Sequence, residues 1–160
     1  MGFWQWCLEL ITNKFILTGA SAWLIAQVVK TIIHAIINKK IVFERLIGDG
    51  GMPSAHSATV SSLAAFAALQ EGPGSFHFAA ALFLAIIVCH DAMGVRRESG
   101  KHAVVLNEMI RIYEKLFSEE ELTDVELKEF VGHTPLQVVV GIAVGICSAL
   151  LAWLLWFGVG

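Results

Sequence analysis

Gly50-Gly51-Met52-Pro53-Ser54-Ala55-His56-Ser57 stands directly before a run of small and apolar residues, 58–69. Two glycines free the backbone to wrap around a ligand, and Pro and Ser are residues that begin helices. His56 then falls in the first turn of a helix whose composition suits a membrane interior. The unpaired N–H groups of a helix start favour an anion. A histidine there can pass a proton near neutral pH. The stretch therefore reads as a phosphate site at a membrane surface.

The composition around it supports the membrane reading. Hydrophobic residues make up 56% of the 160 residues and charged residues only 16%, against about 25% charged in soluble domains. The net charge of -3 gives no argument for nucleic acid. Cys7, Cys89 and Cys147 follow no metal-ligand spacing and read as small apolar side chains. No metal and no cofactor is expected. The start lacks a basic n-region and a cleavage site, so no cleaved signal peptide is expected. Trp6 stands where a myristoylation pattern wants Ser or Thr.

A spanning helix needs about 20 mostly apolar residues. Four segments qualify: 15–38, 54–70, 75–93 and 135–157. The second is rich in Ala and Ser, so it should pack closely against its neighbours, or against a second copy in a homo-oligomer. Phe3, Trp4, Trp6, Leu8, Leu10 and Ile11 suggest an interfacial helix with aromatic anchors. Glu71-Gly72-Pro73-Gly74 is a tight turn. Within the polar stretch 94–134, Leu106, Met109, Tyr113 and Leu116 recur at helical spacing, which predicts an amphipathic helix over 102–117. Thr123-Asp124-Val125-Glu126 matches a capping box and opens a short helix that Gly132 closes. Thr134-Pro135 reads as N-cap and first turn of the last span. The fold class is all-α: a polytopic membrane bundle of about four transmembrane helices with one or two surface amphipathic helices, a single domain over 1–160.

Four spans put 39–53 and 94–134 on one side. Lys39, Lys40, Arg45, Arg96, Arg97, Lys101, Arg111, Lys115 and Lys128 lie on that side and Lys14 on the other. Lys/Arg excess marks the cytoplasmic face, which predicts a multi-pass protein of the cell membrane with its long loops in the cytoplasm.

Polar residues inside the apolar runs are the candidates for chemistry. Gln27, Lys30, Thr31, His34 and Asn38 form one helical stripe. They either face a pocket in the bundle or snorkel to the interface. His90-Asp91 ends the third span, as a helix-end polar pair or with Asp91 in a functional role. Arg96-Arg97 follow, either as a positive-inside anchor or as a grip on a tetrahedral phosphate. His133 sits just before a helix start, as His56 sits just after one. Two histidines so placed can divide phosphoryl transfer, one attacking phosphorus and one protonating the leaving oxygen. His77 lies on the opposite face, and nothing places His102 in a pocket.

In these residues the chain resembles the type-2 phosphatidic acid phosphatase and vanadium haloperoxidase superfamily, and more closely its small divergent bacterial and plastid branch. Pro53-Ser54-Ala55-His56 stands in place of the superfamily's Pro-Ser-Gly-His. The divergent branch shows Gly-Gly-Met-Pro-Ser, Asp-x-x-Gly-Val-Arg-Arg, Leu-Asn and Gly-His-Thr-Pro. All occur in order here, at Gly50 to Ser54, Asp91 to Arg97, Leu106-Asn107 and Gly132 to Pro135. The resemblance implies His133 as nucleophile, forming a phosphohistidine, and His56 as general acid. It implies phosphate held by Lys30, Gly51, Ser54, Arg96 and Arg97, without metal. The chain departs from the pattern at three points. Leu127 stands where an arginine would be, and Gln137 replaces the aspartate that orients the nucleophile. The first motif has no clean match, with Lys30 the first choice for its lysine. Asp91 is then a candidate to supply the missing charge from another helix.

The expected activity is metal-independent hydrolysis of a phospholipid or polyprenyl phosphate, on a reduced version of the superfamily's helical core. The alternative is a non-hydrolytic protein that binds or moves a phosphorylated lipid with the same pocket. The expected partners are a phosphorylated lipid and the bilayer.

Overall fold

The structure is a computed structural model that describes residues 2–40, 50–117, 127 and 132–158. Its helices are α1 (Phe3–Ile11), α2 (Lys14–Asn38), α3 (Ala55–Glu71), α4 (Phe76–Met93), α5 (Val95–Phe117) and α6 (Pro135–Phe157). Four of them open on a side chain that caps free backbone N–H groups. Asn13 Oδ1 accepts from the N–H of Phe15 and of Ile16. Ser54, Ser75 and Thr134 do the same for α3, α4 and α6. The expected capping box at Thr123 to Glu126, the short helix after it and Arg45 lie outside the described residues.

The chain is an all-α helical membrane bundle. α3 is its centre and packs against α2, α4 and α6. Its buried residues are almost all Ala or Ser, on every side of the helix. Such side chains let neighbouring backbones come close. The closest approach is to α6, where Gly141 and Gly145 lie one turn apart on one face. A Cβ on Gly141 would stand 2.5 Å from the Ser54 carbonyl oxygen. One on Gly145 would run into the Ser61 hydroxyl and the Ala58 carbonyl. Ser61 Oγ itself donates to Ser57 O at 2.5 Å, so its polar atom is turned onto its own helix.

Of the four spans expected, three occur in helices long and apolar enough to cross a membrane: Lys14–Asn38, Phe76–Tyr113 and Pro135–Phe157. α3 has 17 residues, about 25 Å at 1.5 Å per residue, against a hydrocarbon core of about 30 Å. Its serines and alanines lower its hydropathy because it is walled by other helices rather than by lipid. The amphipathic helix also differs from expectation, starting at Val95 rather than at 102. Gly94 N–H bonds to His90 O at 2.9 Å and Glu98 N–H to Gly94 O at 3.1 Å, so helical bonding restarts at once after α4. Asn107, buried on α5, takes Leu127 at both backbone atoms. Its Nδ2 donates to Leu127 O at 2.9 Å and its Oδ1 accepts from Leu127 N–H at 3.1 Å.

The up-and-down order gathers two ends of different character. At one end Phe15, Phe66 and Trp156 stack edge to face, with centroids 5.1 and 5.5 Å apart. His77 Nδ1 meets Glu71 Oε2 at 2.6 Å beside the α3–α4 turn. The other end gathers the close of α2 and α4 and the start of α3 and α6.

The glycine contact is testable. Gly145→Leu should lower the thermal unfolding midpoint in detergent, because the new side chain meets α3 backbone that cannot yield; overpacking of this kind costs about 1–3 kcal/mol. Ala143→Leu, on the exposed side of α6, should leave the midpoint nearly unchanged by circular dichroism.

Candidate functional site

Two main-chain hydrogen bonds build the polar end. Ser54 N–H donates to Gln137 O at 3.0 Å, joining the start of α3 to α6. His133 N–H donates to Ala92 O at 3.0 Å, joining the approach to α6 to the end of α4. The loop into α3 runs through Gly50 and Gly51, both with φ near +80° (81° and 84°), and a cis Met52–Pro53 bond. Gly51 is a place where only glycine suits. Its φ is in the left-handed region, and an added Cβ would lie 3.4 Å from Lys30 Cγ.

His56 and His133 face each other within this frame. Their ring centroids are 6.3 Å apart, with planes at 57°. His133 is buried and His56 half-buried. Gln137, one turn into α6, reaches back to the same corner. Its Oε1 accepts from Thr134 N–H at 3.0 Å, while Thr134 Oγ1 accepts from Gln137 N–H at 3.3 Å, a reciprocal capping box. The same Oε1 lies 3.3 Å from His133 Nδ1. The Thr134 bond identifies that amide atom as the oxygen, an acceptor only. In the neutral ring this makes Nδ1 the protonated nitrogen and leaves the lone pair on Nε2. Thr134-x-x-Gln137 is the sequence signal of that box.

Lys30 is buried on α2, its stem against Gly51. With His34, Gly50, Gly51, Thr134 and Gln137 it lines a cavity of about 320 Å³. The α2 stripe is buried at Gln27 and Lys30 and exposed at Asn38, which lines the same cavity and whose amide donates to His34 O at 3.1 Å. Ser54 is the N-cap of α3. Its hydroxyl oxygen accepts from Ser57 N–H at 3.3 Å and Ser57 Oγ at 2.9 Å, its own N–H goes to Gln137, and it has no exposed surface. It belongs to the frame that joins α3 to α6. Asp91 is half-buried in the last turn of α4, next to the Ala92 carbonyl that holds His133. Arg96 and Arg97 fall in the first turn of α5, and their side chains lie outside what is described. Among the described residues no group of three His, Cys, Asp or Glu stands together to hold a metal.

A histidine with its proton held on one nitrogen, a second histidine opposite, and an adjacent cavity with a buried lysine suit transfer of an anionic group. Comparison with known proteins agrees with the sequence motifs. The chain is 36% identical over 151 residues to the uncharacterized membrane protein YuiD of Bacillus subtilis (strain 168), covering 89% of this chain and 96% of that one. No solved structure matches. A family profile described as "Divergent PAP2 family" matches residues 11–148, nearly the whole of the bundle, and the chain belongs to that family of membrane proteins.

Proposed function

We propose that the protein is a metal-independent lipid phosphate phosphatase working through a phosphohistidine. The observation that carries the reading is the His133 pair of contacts: Gln137 Oε1 at Nδ1 and the His56 ring 6.3 Å away. His133 Nε2 gives its lone pair to phosphorus as the bond from phosphorus to the lipid oxygen breaks. His56, protonated, gives its proton to that oxygen. Water then attacks the phosphohistidine, its proton passing to His56 while the P–N bond breaks and inorganic phosphate leaves. Lys30, the Gly51 backbone and the Arg96 and Arg97 guanidiniums would carry the phosphoryl charge. Asp91 would stabilise the imidazolium that Gln137, a neutral amide, holds in register without charge. The excess of Lys and Arg on the polar end supports a cytoplasmic site.

His133→Ala should abolish phosphate release from phosphatidate, phosphatidylglycerophosphate and polyprenyl phosphates assayed without added metal, and should abolish acid-labile label on the protein. His56→Ala should lower kcat by roughly 10²–10⁴. Full activity in the His133 variant sinks the assignment. Binding of lipid phosphate by the wild type with neither turnover nor vanadate inhibition would favour a carrier instead.

Gln137 makes a separate prediction. Gln137→Glu keeps both acceptor bonds and adds charge beside Nδ1, so kcat should hold or rise. Gln137→Leu frees the wrong tautomer and should lower kcat while KM changes little. Sidedness is checked by placing a single cysteine at Lys101 in a chain lacking Cys7, Cys89 and Cys147: a membrane-impermeant maleimide should label it in inverted vesicles and not in intact cells.

A further inference from the structure

We infer that an apolar groove formed by α3, α4 and α6 seats one hydrocarbon chain of the lipid whose phosphate is processed at His133. The inference rests on the phosphatase reading and names the part of the substrate that reading leaves open. The groove holds about 520 Å³ and follows α4 from Phe78 to Met93, with Ala64, Ala85 and Ile142 among its walls. Along α4 that is about 22 Å, most of the thickness of a bilayer core.

Nearness to the His133 anchor decides the occupant. Met93 follows Ala92, whose carbonyl holds the His133 N–H. Cys89, which lines the groove, packs with Ala92 and Val138 in one buried cluster. Ser61, on the α3 wall, is five residues beyond His56, about 7 Å deeper along the helix. The groove therefore ends at Met93, one residue from the carbonyl that anchors His133. At the upper mouth His90 is exposed. At the sides Leu82, Ile86 and Ile146 are 39–54% exposed, so the groove opens laterally to lipid.

Its width comes from the residues on its floor. Ala64, Ala65 and Ala85 leave space where larger side chains would fill it. The Ser61 hydroxyl is turned onto Ser57 O, so the wall is apolar in fact as well as in outline. At roughly 30 Å³ per methylene-sized group, the volume takes about 17 groups, one long chain and not two. A second chain, where the lipid has one, stays in the bilayer. Moving a chain from lipid to groove gains no hydrophobic free energy, because lipid is equally apolar. What the groove supplies is position, holding the phosphorus at the attacking nitrogen.

The test uses the full-length protein in detergent with oleoyl lysophosphatidate, geranylgeranyl phosphate and butyl phosphate. Ala85→Phe should reduce kcat/KM for the two long-chain substrates relative to butyl phosphate by about ten- to a hundredfold, the range expected when a reacting group is displaced by an ångström. Ala80→Phe, on the exposed side of α4 opposite the groove, should leave that ratio alone. The relative loss for the acyl and prenyl substrates tells which chain the groove prefers. A second readout needs no turnover. In a Cys7→Ala, Cys147→Ala chain, oleoyl lysophosphatidate should slow labelling of Cys89 by an apolar maleimide, and butyl phosphate should not. Protection without any hydrolysis would remove the phosphatase reading and leave the groove standing. Hydrolysis with an unchanged chain-length ratio and no protection would overturn the groove. Oxidative cross-linking of Cys89 between two chains would overturn it too, by showing a second copy in place of lipid.

Discussion

The approach of α3 to α6 sets the rest of the molecule. Gly141 and Gly145 leave no side chain between the helices, so α6 lies directly on the Ser54 and Ala58 carbonyls. That closeness brings Ser54 N–H within bonding distance of Gln137 O. With the start of α3 fixed to the first turns of α6, the His56 and His133 rings come within 6.3 Å of each other. In a membrane there is no hydrophobic drive between helices, so close packing and backbone bonds must supply the association. The Ala- and Ser-rich centre of this bundle is the form such packing takes.

The helix ends were legible because their chemistry is local. Asn13, Ser54, Ser75 and Thr134 cap helix starts, while Gly72, Gly94 and Gly158 follow helix ends. α5 was read too short, since the bonds that restart a helix across Gly94 leave no hydrophobic periodicity in the sequence. The Ala- and Ser-rich composition of α3 already marks a helix packed closely against its neighbours, and the bundle places it against α2, α4 and α6.

The site was legible by residue type and not by geometry. Two histidines near helix starts pointed to phosphate chemistry, but their facing rings are set by contacts between segments far apart in sequence. Ser54 illustrates the limit. Its place in a phosphate-like motif suggests a ligand donor, but nothing in that motif reports that its N–H ties α3 to the Gln137 carbonyl of α6. Gln137 illustrates the reverse. Judged as a substitute for an aspartate it looks deficient, yet one amide oxygen both finishes a capping box and sets the tautomer of the neighbouring imidazole. Helix termination and histidine protonation are thereby a single structural fact.

The bonds that frame the histidines run from main chain to main chain, at Ser54 to Gln137 and His133 to Ala92. Every residue type has a carbonyl, and every type but proline has an N–H. Side chains at positions such as 92 can therefore be exchanged for others of similar bulk while the anchor persists. The placement of the imidazoles is robust to most point changes in the frame. Its vulnerability is confined to proline at a donor position and to any side chain large enough to push α6 away from α3.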